Sequence, residues 1–142
     1  MRPVTYLQQL VTVFLVSVAA AAQSPWGFPI SQRFVAVSLN GQSYGQKAPT
    51  VTVTQDAERN VLTAGGFAGC NTWFGRITLG QKQFGVGDLG TTKMFCGDRM
   101  DREIGFLDAL KSVKRWRMDG PLLVLEGEQM TLLLSPALPN KP

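Results

Sequence analysis

The sequence predicts an α+β domain in which antiparallel strands surround one main helix. Short segments of alternating apolar residues, separated by turns rich in Gly, Asn and Asp, indicate the strands. A single segment with apolar residues at helical spacing indicates the helix. Strands on both sides of one helix favour α+β over a regular alternation of strands and helices.

Five segments before the helix have the strand pattern. In the first of them, Val35, Val37 and Leu39 alternate and then meet an Asn40-Gly41 turn. Gly75 lies inside the fourth segment, where it indicates a bulge or a close approach of a neighbouring strand. The five segments are residues 35–39, 50–54, 61–63, 73–79 and 83–86.

The helix is predicted from Arg99 to Val113. Asp98 is placed to cap its start, and Asp101 and Glu103 bring carboxylates to the positive end of the helix dipole. Three more strands are expected around residues 116–118, 123–125 and 130–134. The apolar side of the helix is predicted to consist of Met100, Ile104, Leu107, Leu110 and Val113.

Residues 1–22 have the pattern of a secretory signal peptide. Arg2 is followed by an apolar run over residues 10–18, and Ala20-x-Ala22 is a small-residue cleavage pattern. The alternative is a membrane anchor, but the run is shorter than the ~20 residues that span a bilayer. We therefore expect cleavage after Ala22 and a periplasmic or secreted protein that does not span the membrane. No cysteine stands near this site, so lipid attachment is not expected.

The rest of the chain is long enough for one domain with a single core. We expect an extended lead-in at residues 23–32, the domain at 33–135 and a flexible, proline-rich tail at 136–142. The composition is 44% hydrophobic and 17% charged, as in globular proteins. The net charge of +4 permits an anionic partner but does not require nucleic acid, and none is expected.

Cys70 and Cys96 are the only two cysteines. In an exported chain an even cysteine count favours a structural disulfide. Two free buried thiols and a redox-active pair are the alternatives. The redox interpretation lacks a Cys-x-x-Cys motif and a histidine that could act as base.

Histidine is absent, which removes the usual catalytic triads, zinc sites built on imidazole and the commonest general base. The segment from Gly85 to Gly90 matches the dinucleotide fingerprint G-x-G-x-x-G. However, the predicted helix begins about eight residues after it, whereas the fingerprint needs a helix starting within it. We interpret these residues as turn glycines and expect no cofactor, no metal and no catalytic residue.

The sequence Gly69-Cys70-Asn71, followed by Thr92-Lys93-Met94-Phe95-Cys96 and an acidic, apolar helix, resembles the META domain family of bacterial envelope proteins. The resemblance implies a curved, partly open, barrel-like sheet closed by a helix. It also implies a non-enzymatic supporting role in envelope stress tolerance or secretion. The positions that carry it are Gly69, Cys70, Asn71, Gly75, Thr92, Met94, Cys96 and Glu103.

Lys93 stands where the family pattern has Arg, Phe95 where it has Ala, and Ile77 where an aromatic residue is common. Lysine cannot reproduce a bidentate guanidinium contact, which argues against a binding role that depends on that Arg. Asn71 is expected to adopt a left-handed or Asx-turn conformation that directs the chain into the next strand. Glu103 projects toward the apolar side of the helix and needs a partner there, such as Arg76, Lys93 or a backbone amide.

The basic residues between 111 and 117 have two interpretations. They could dock an anionic surface or an envelope protein, or they could complement the helix C-terminus and protect an edge strand. The basic residues are Lys111, Lys114, Arg115 and Arg117, with Trp116 interleaved among them.

The function expected from the sequence is that of a monomeric binding or support module. The aromatic candidates for a binding surface are Trp26, Trp73, Phe74 and Trp116. The alternatives are a thiol-disulfide redox protein that uses Cys70 and Cys96, and an inhibitor of a secreted hydrolase.

Overall fold

The computed structural model describes Ser24 and residues 26–138. The predicted signal peptide and the last four residues of the predicted tail lie outside this range. The described chain is an α+β fold, a curled antiparallel half-barrel with one main helix, as the sequence and the resemblance predict.

The elements follow the predicted order, with one addition. A two-residue strand after the Asn40-Gly41 turn was not predicted, because a pair of residues carries no periodicity. The helix α1 spans Met100–Ser112 and is preceded by a 3₁₀ turn at Gly97–Arg99. The strands are β1 (Arg33–Leu39), β2 (Gln42–Ser43), β3 (Thr50–Asp56), β4 (Val61–Phe67), β5 (Thr72–Leu79), β6 (Phe84–Thr91), β7 (Arg115–Asp119), β8 (Leu122–Glu126) and β9 (Thr131–Pro136).

The sheet consists of two meanders joined through β1. The strand order is β6-β5-β4-β3-β1-β9-β8-β7, and among the described strands β2 pairs with β1 alone. The two end strands come close at one point, where Gln83 forms an isolated bridge with Arg115 and the Phe84 amide donates to the Lys114 carbonyl at 3.0 Å. Helix α1 packs against β6.

The core fills the concave face of the sheet. Trp73 of β5 is fully buried, and its Nε1 donates to the Thr50 carbonyl at 2.9 Å. Phe106 of α1 packs edge-on against Trp73, with 6.2 Å between ring centroids. The buried leucines are Leu110, Leu123, Leu125, Leu132 and Leu134.

The predicted lead-in packs into this core. Phe28 and Ile30 are buried, and the Phe28 ring lies 5.0 Å from Trp116 and 5.6 Å from Phe84. At the other end of the fold, β9 includes Pro136, the first residue of the predicted tail.

Two details of the predicted helix are wrong. Asp98 makes no capping bond, because it lies in the 3₁₀ turn and α1 starts two residues later. The buried side is also rotated, since Ile104 is 53% exposed whereas Glu103 and Phe106 are buried. Apolar residues occur on more than one side of this helix, so their spacing alone did not select the side that faces the sheet.

The prediction of turn glycines between Gly85 and Gly90 is also wrong, because these residues form most of β6. Small residues suit this strand for a packing reason. The Phe74 ring lies over Gly90, so a Cβ there would be 2.5 Å from two ring atoms. At Gly75 the pairing of β5 with β6 shifts register, and a Cβ would lie 2.9 Å from Val86 Cγ1. The close approach therefore occurs at Gly75, whereas the bulge lies in the facing strand, where Asp88 and Leu89 of β6 oppose Gly75.

Candidate functional site

Three segments meet at one end of the half-barrel: residues 68–71 between β4 and β5, residues 92–96 after β6, and the first turns of α1. Gly69 allows α1 to pack closely against the loop between β4 and β5. Its φ of +125° lies in a region that glycine favours, and a Cβ there would be 3.4 Å from the Glu103 amide nitrogen.

Asn71 connects the three segments through one buried side chain, which is 2% exposed. Its Oδ1 accepts from Thr92 Oγ1 at 2.9 Å and from the Met94 amide at 2.6 Å. Its Nδ2 donates to the Met94 carbonyl at 3.0 Å and to Glu103 Oε2 at 2.8 Å. The side-chain amide thus makes all four hydrogen bonds that it can make.

The expectation of a left-handed conformation at Asn71 is wrong. Gly69, two residues earlier, has the positive φ, and Asn71 does not. The Asn71 side chain bonds to distant segments rather than to its own turn, so it fixes tertiary structure and not a local bend.

Glu103 has the backbone partner that its burial requires. It is 3% exposed, and its Oε1 accepts from the Asn71 backbone amide at 2.6 Å. Arg76 does not serve as its partner but lies 3.9 Å from Asp88, and Lys93 is exposed. Of the three predicted partners, the backbone amide is the one the structure uses.

Cys70 and Cys96 form a disulfide, with 5.9 Å between their Cα atoms. This confirms the predicted bond and excludes two free buried thiols in this structure. Cys70 is buried and Cys96 is partly exposed. The bond ties residues 92–96 to the loop between β4 and β5, beside the bonds of Asn71.

The side chains of Met94 and Phe95 are exposed to solvent between the hydrogen bonds of Asn71 and the disulfide. Met94 is 59% exposed and Phe95 is 84% exposed. Among the aromatic candidates from the sequence, Trp73 and Trp116 are buried, whereas Trp26 and Phe74 are exposed. Phe95 was not among those candidates, because in the sequence it is one aromatic residue in an irregular segment.

Within the described residues, the basic segment lies beside carboxylates. Lys114 Nζ is 2.7 Å from Glu128 Oε1, and Arg117 Nε is 2.8 Å from Glu126 Oε1. The hydrogen bond from Lys114, and then its charge, hold the pKa of Glu128 below its ordinary value.

The other three members of this basic segment differ in their surroundings. Arg115 lies 3.9 Å from Glu126, and Lys111 is exposed in the last turn of α1. Trp116 is buried and donates Nε1 to the Gly80 carbonyl at 3.0 Å. Three of the four cations are thus close to carboxylates of β8 or of the turn after it, and docking by this segment stays a prediction.

A cleft of about 470 Å³ lies between the β1–β2 hairpin and the start of α1. Arg102 crosses it, with its guanidinium carbon 5.5 Å from the Tyr44 ring centroid. Burial raises the pKa of Tyr44, and the charge of Arg102 offsets part of that rise. Sequence reasoning missed the cleft, because its two walls are far apart in the chain. It is lined by Leu39, Gln42, Ser43, Tyr44, Asp101, Arg102 and Gly105.

Over residues 26–138 and Ser24, no group of His, Cys, Asp and Glu side chains is arranged to hold a metal ion. No helix in the same residues has the length and apolar character needed to cross a membrane.

The fold matches solved structures over most of their length. A protein from Burkholderia xenovorans solved by NMR is 21% identical with a TM-score of 0.63, over 86% of this chain and 96% of that one. A duf4847 family protein from Bacteroides vulgatus is 14% identical with a TM-score of 0.51, over 74% of this chain and 92% of that one. At these identities the likeness shows the fold alone. No curated protein matches the chain in sequence.

The family model described as META domain matches residues 29–137. That range contains the disulfide, Asn71 and its partners, and the strands β1 to β9. The matched range begins one residue after Phe28, which is buried in the core. The chain belongs to the META domain family.

Proposed function

We propose that this chain is an exported, non-enzymatic binding module that supports the cell envelope by docking a protein partner on the loop at residues 92–96. The observation that carries the proposal is the exposure of Met94 and Phe95 on a backbone that is held on both sides. The envelope setting comes from the predicted signal peptide and from the family resemblance.

The loop has the properties of a preformed contact surface. Asn71 fixes Met94 through both its amide and its carbonyl, and the disulfide fixes the chain at Cys96. A loop that is already ordered loses little conformational entropy when a partner binds. Burying a side chain the size of Phe95 contributes roughly 1.5 to 3 kcal/mol. Aromatic anchors of this kind dominate many protein interfaces.

In this proposal the disulfide is a brace and not a reactant. Cys70 is buried, and within the described residues both sulfurs are already bonded to each other. A secreted hydrolase is one kind of partner that such a loop could dock. The redox interpretation has no observation in its favour beyond the presence of the two cysteines.

The test compares immobilised residues 23–142 with two matched variants. Met94→Ser with Phe95→Ser removes the loop side chains, and Ile104→Ser with Met118→Ser removes exposed apolar residues elsewhere. Envelope proteins retained by the unchanged chain are identified by mass spectrometry, and one is purified for calorimetry. We expect the loop variant to weaken its affinity by at least about tenfold, and the control to leave it unchanged.

Two results would count against the proposal. One is a partner that binds the loop variant as tightly as the unchanged chain. The other is a partner that is lost only when Lys114, Arg115 and Arg117 are changed to Gln. That result would place the docking site on the basic segment instead of the loop. Retention of no specific partner would remove the support for a binding module.

A further inference from the structure

We infer that the cleft between the β1–β2 hairpin and α1 binds a small zwitterion of the amino-acid type. Its carboxylate would bind Arg102 and its ammonium would bind Asp101. This site is separate from the loop at residues 92–96, and the inference does not depend on the proposed protein partner.

Arg102 is a fixed cation. Its guanidinium donates to the backbone carbonyls of Tyr44 and Gln46, and it lies over the Tyr44 ring. Carbonyl groups hold the guanidinium in place without neutralising its charge. Within the described residues no carboxylate lies within 4.0 Å of it. A guanidinium has five N–H donors, so the two carbonyl bonds leave donors for a carboxylate of a ligand.

Asp101 supplies the opposite charge on the same wall of the cleft. It is exposed, and in the part of the chain that the structure describes no Lys or Arg nitrogen lies within 4.0 Å of it. A simple anion would be repelled by Asp101, and a simple cation by Arg102. A molecule that carries both charges satisfies both residues, which selects a zwitterion over either ion alone.

The size of the cleft and its lining favour a ligand with a modest apolar group. Gly105 lies one helical turn after Asp101, and a Cβ added there would meet nothing within 4 Å. The missing side chain leaves the space open. Leu39 and the Tyr44 ring offer apolar surface, whereas Gln42 and Ser43 are polar. A volume of about 470 Å³ accommodates an amino acid and not a folded partner.

The test is an NMR titration of ¹⁵N-labelled residues 23–142 with L-leucine. We expect saturable shifts at the backbone amides of Ser43, Arg102 and Gly105. L-leucinamide lacks the carboxylate and N-acetyl-L-leucine lacks the ammonium. Each should bind at least about tenfold more weakly, because each loses one charge-assisted hydrogen bond. Equal binding of either blocked compound, or shifts that do not saturate, would overturn the assignment.

A pair of substitutions at Gly105 separates occupation of the cleft from folding. Gly105→Leu fills the space and should abolish the titration, whereas Gly105→Ala should retain most of it. Both replace a glycine inside a helix and should keep or raise Tm. L-leucine binding that survives Gly105→Leu would place the site elsewhere. Met94→Ser with Phe95→Ser should bind L-leucine normally, so failure of the protein-docking proposal would not be mistaken for failure of this one.

Discussion

Asn71→Asp tests the hydrogen-bonded centre of the fold with almost no change in shape. The substitution replaces Nδ2, a donor, with an oxygen that cannot donate when ionised. That atom now lies 2.8 Å from Glu103 Oε2 and 3.0 Å from the Met94 carbonyl. The Glu103 carboxylate and the Met94 carbonyl would therefore lose the N–H donor that they share and would face a carboxylate oxygen instead.

The structure sets the magnitude of the effect. Two unit charges 2.8 Å apart repel by roughly 6 kcal/mol at an effective dielectric constant of about 20. If the two carboxyls share one proton, this repulsion is avoided. Holding that proton at pH 7 against an ordinary pKa of about 4 costs roughly 4 kcal/mol, which is less than the repulsion. The lost bond to Met94 adds about 1 kcal/mol. We expect a loss of about 5 kcal/mol at pH 7.

The pH dependence distinguishes this cause from simple loss of packing. The folded variant retains a proton that the unfolded chain releases above about pH 4, so its stability falls as the pH rises. The loss relative to the unchanged protein should shrink by about 1.4 kcal/mol for each unit that the pH is lowered, to about 2.2 kcal/mol at pH 5. Urea unfolding followed by circular dichroism at pH 5 and pH 7 measures both values.

Two variants complete the experiment. Asn40→Asp is the control, because Asn40 Oδ1 already acts as an acceptor, from the Thr131 amide at 2.8 Å. It should change stability by less than about 0.5 kcal/mol at either pH. Adding Glu103→Gln to Asn71→Asp restores a donor and removes one charge, so much of the loss at pH 7 should be recovered. A loss that is equal at both pH values, or below about 1 kcal/mol at pH 7, would refute the reasoning.

Two further predictions concern the disulfide and Tyr44. Changing Cys70 and Cys96 together to Ser should lower the free energy of unfolding by about 3.5 kcal/mol in the chain-entropy model, for a loop of 26 residues. Urea unfolding checks this, and a loss below about 1 kcal/mol would mean that the bond braces little. Tyr44→Phe removes a hydroxyl that is buried without a hydrogen-bond partner among the described residues, and should stabilise by about 1 kcal/mol at pH 7. Burial raises the Tyr44 pKa, so the folded state keeps a proton that the unfolded chain loses above about pH 10, and stability falls there. The Tm advantage of Tyr44→Phe should therefore widen between pH 7 and about pH 10.5, and a constant difference would contradict it.

The order of the strands and the helix along the chain could be predicted, because the apolar residues of each long element recur at the spacing of a strand or of a helix. The failures share a different cause, which is that tertiary contacts override local pattern. Gly85 to Gly90 have the composition of a turn but form a strand, because they pair with β5, whose Phe74 ring covers Gly90. The buried side of α1 includes Glu103 because Asn71, 32 residues away, supplies its hydrogen bonds.

The candidate sites differ in how far the sequence could reveal them. The motif residues Asn71, Met94 and Glu103 were identified through the family resemblance, but their mutual contacts were not, because hydrogen bonds across distant segments leave no local pattern. The exposure of Phe95 and the juxtaposition of Tyr44 with Arg102 depend on how loops lie against α1. Such placements follow from the assembled sheet and not from any one segment.

The position of β1 between the two meanders has a consequence for the order in which this fold can form. Strands β3 to β6 can pair early as hairpins, because each partner is close in sequence. In contrast, β1 must wait for β9, whose Leu134 pairs with Ala36 from nearly the other end of the fold. Until β9 pairs with it, β1 has only β3 and the short β2 as neighbours among the described strands, and the two meanders cannot join. Closure is therefore a late, long-range event, of the kind that slows folding, and until it occurs one edge of β1 stays unpaired.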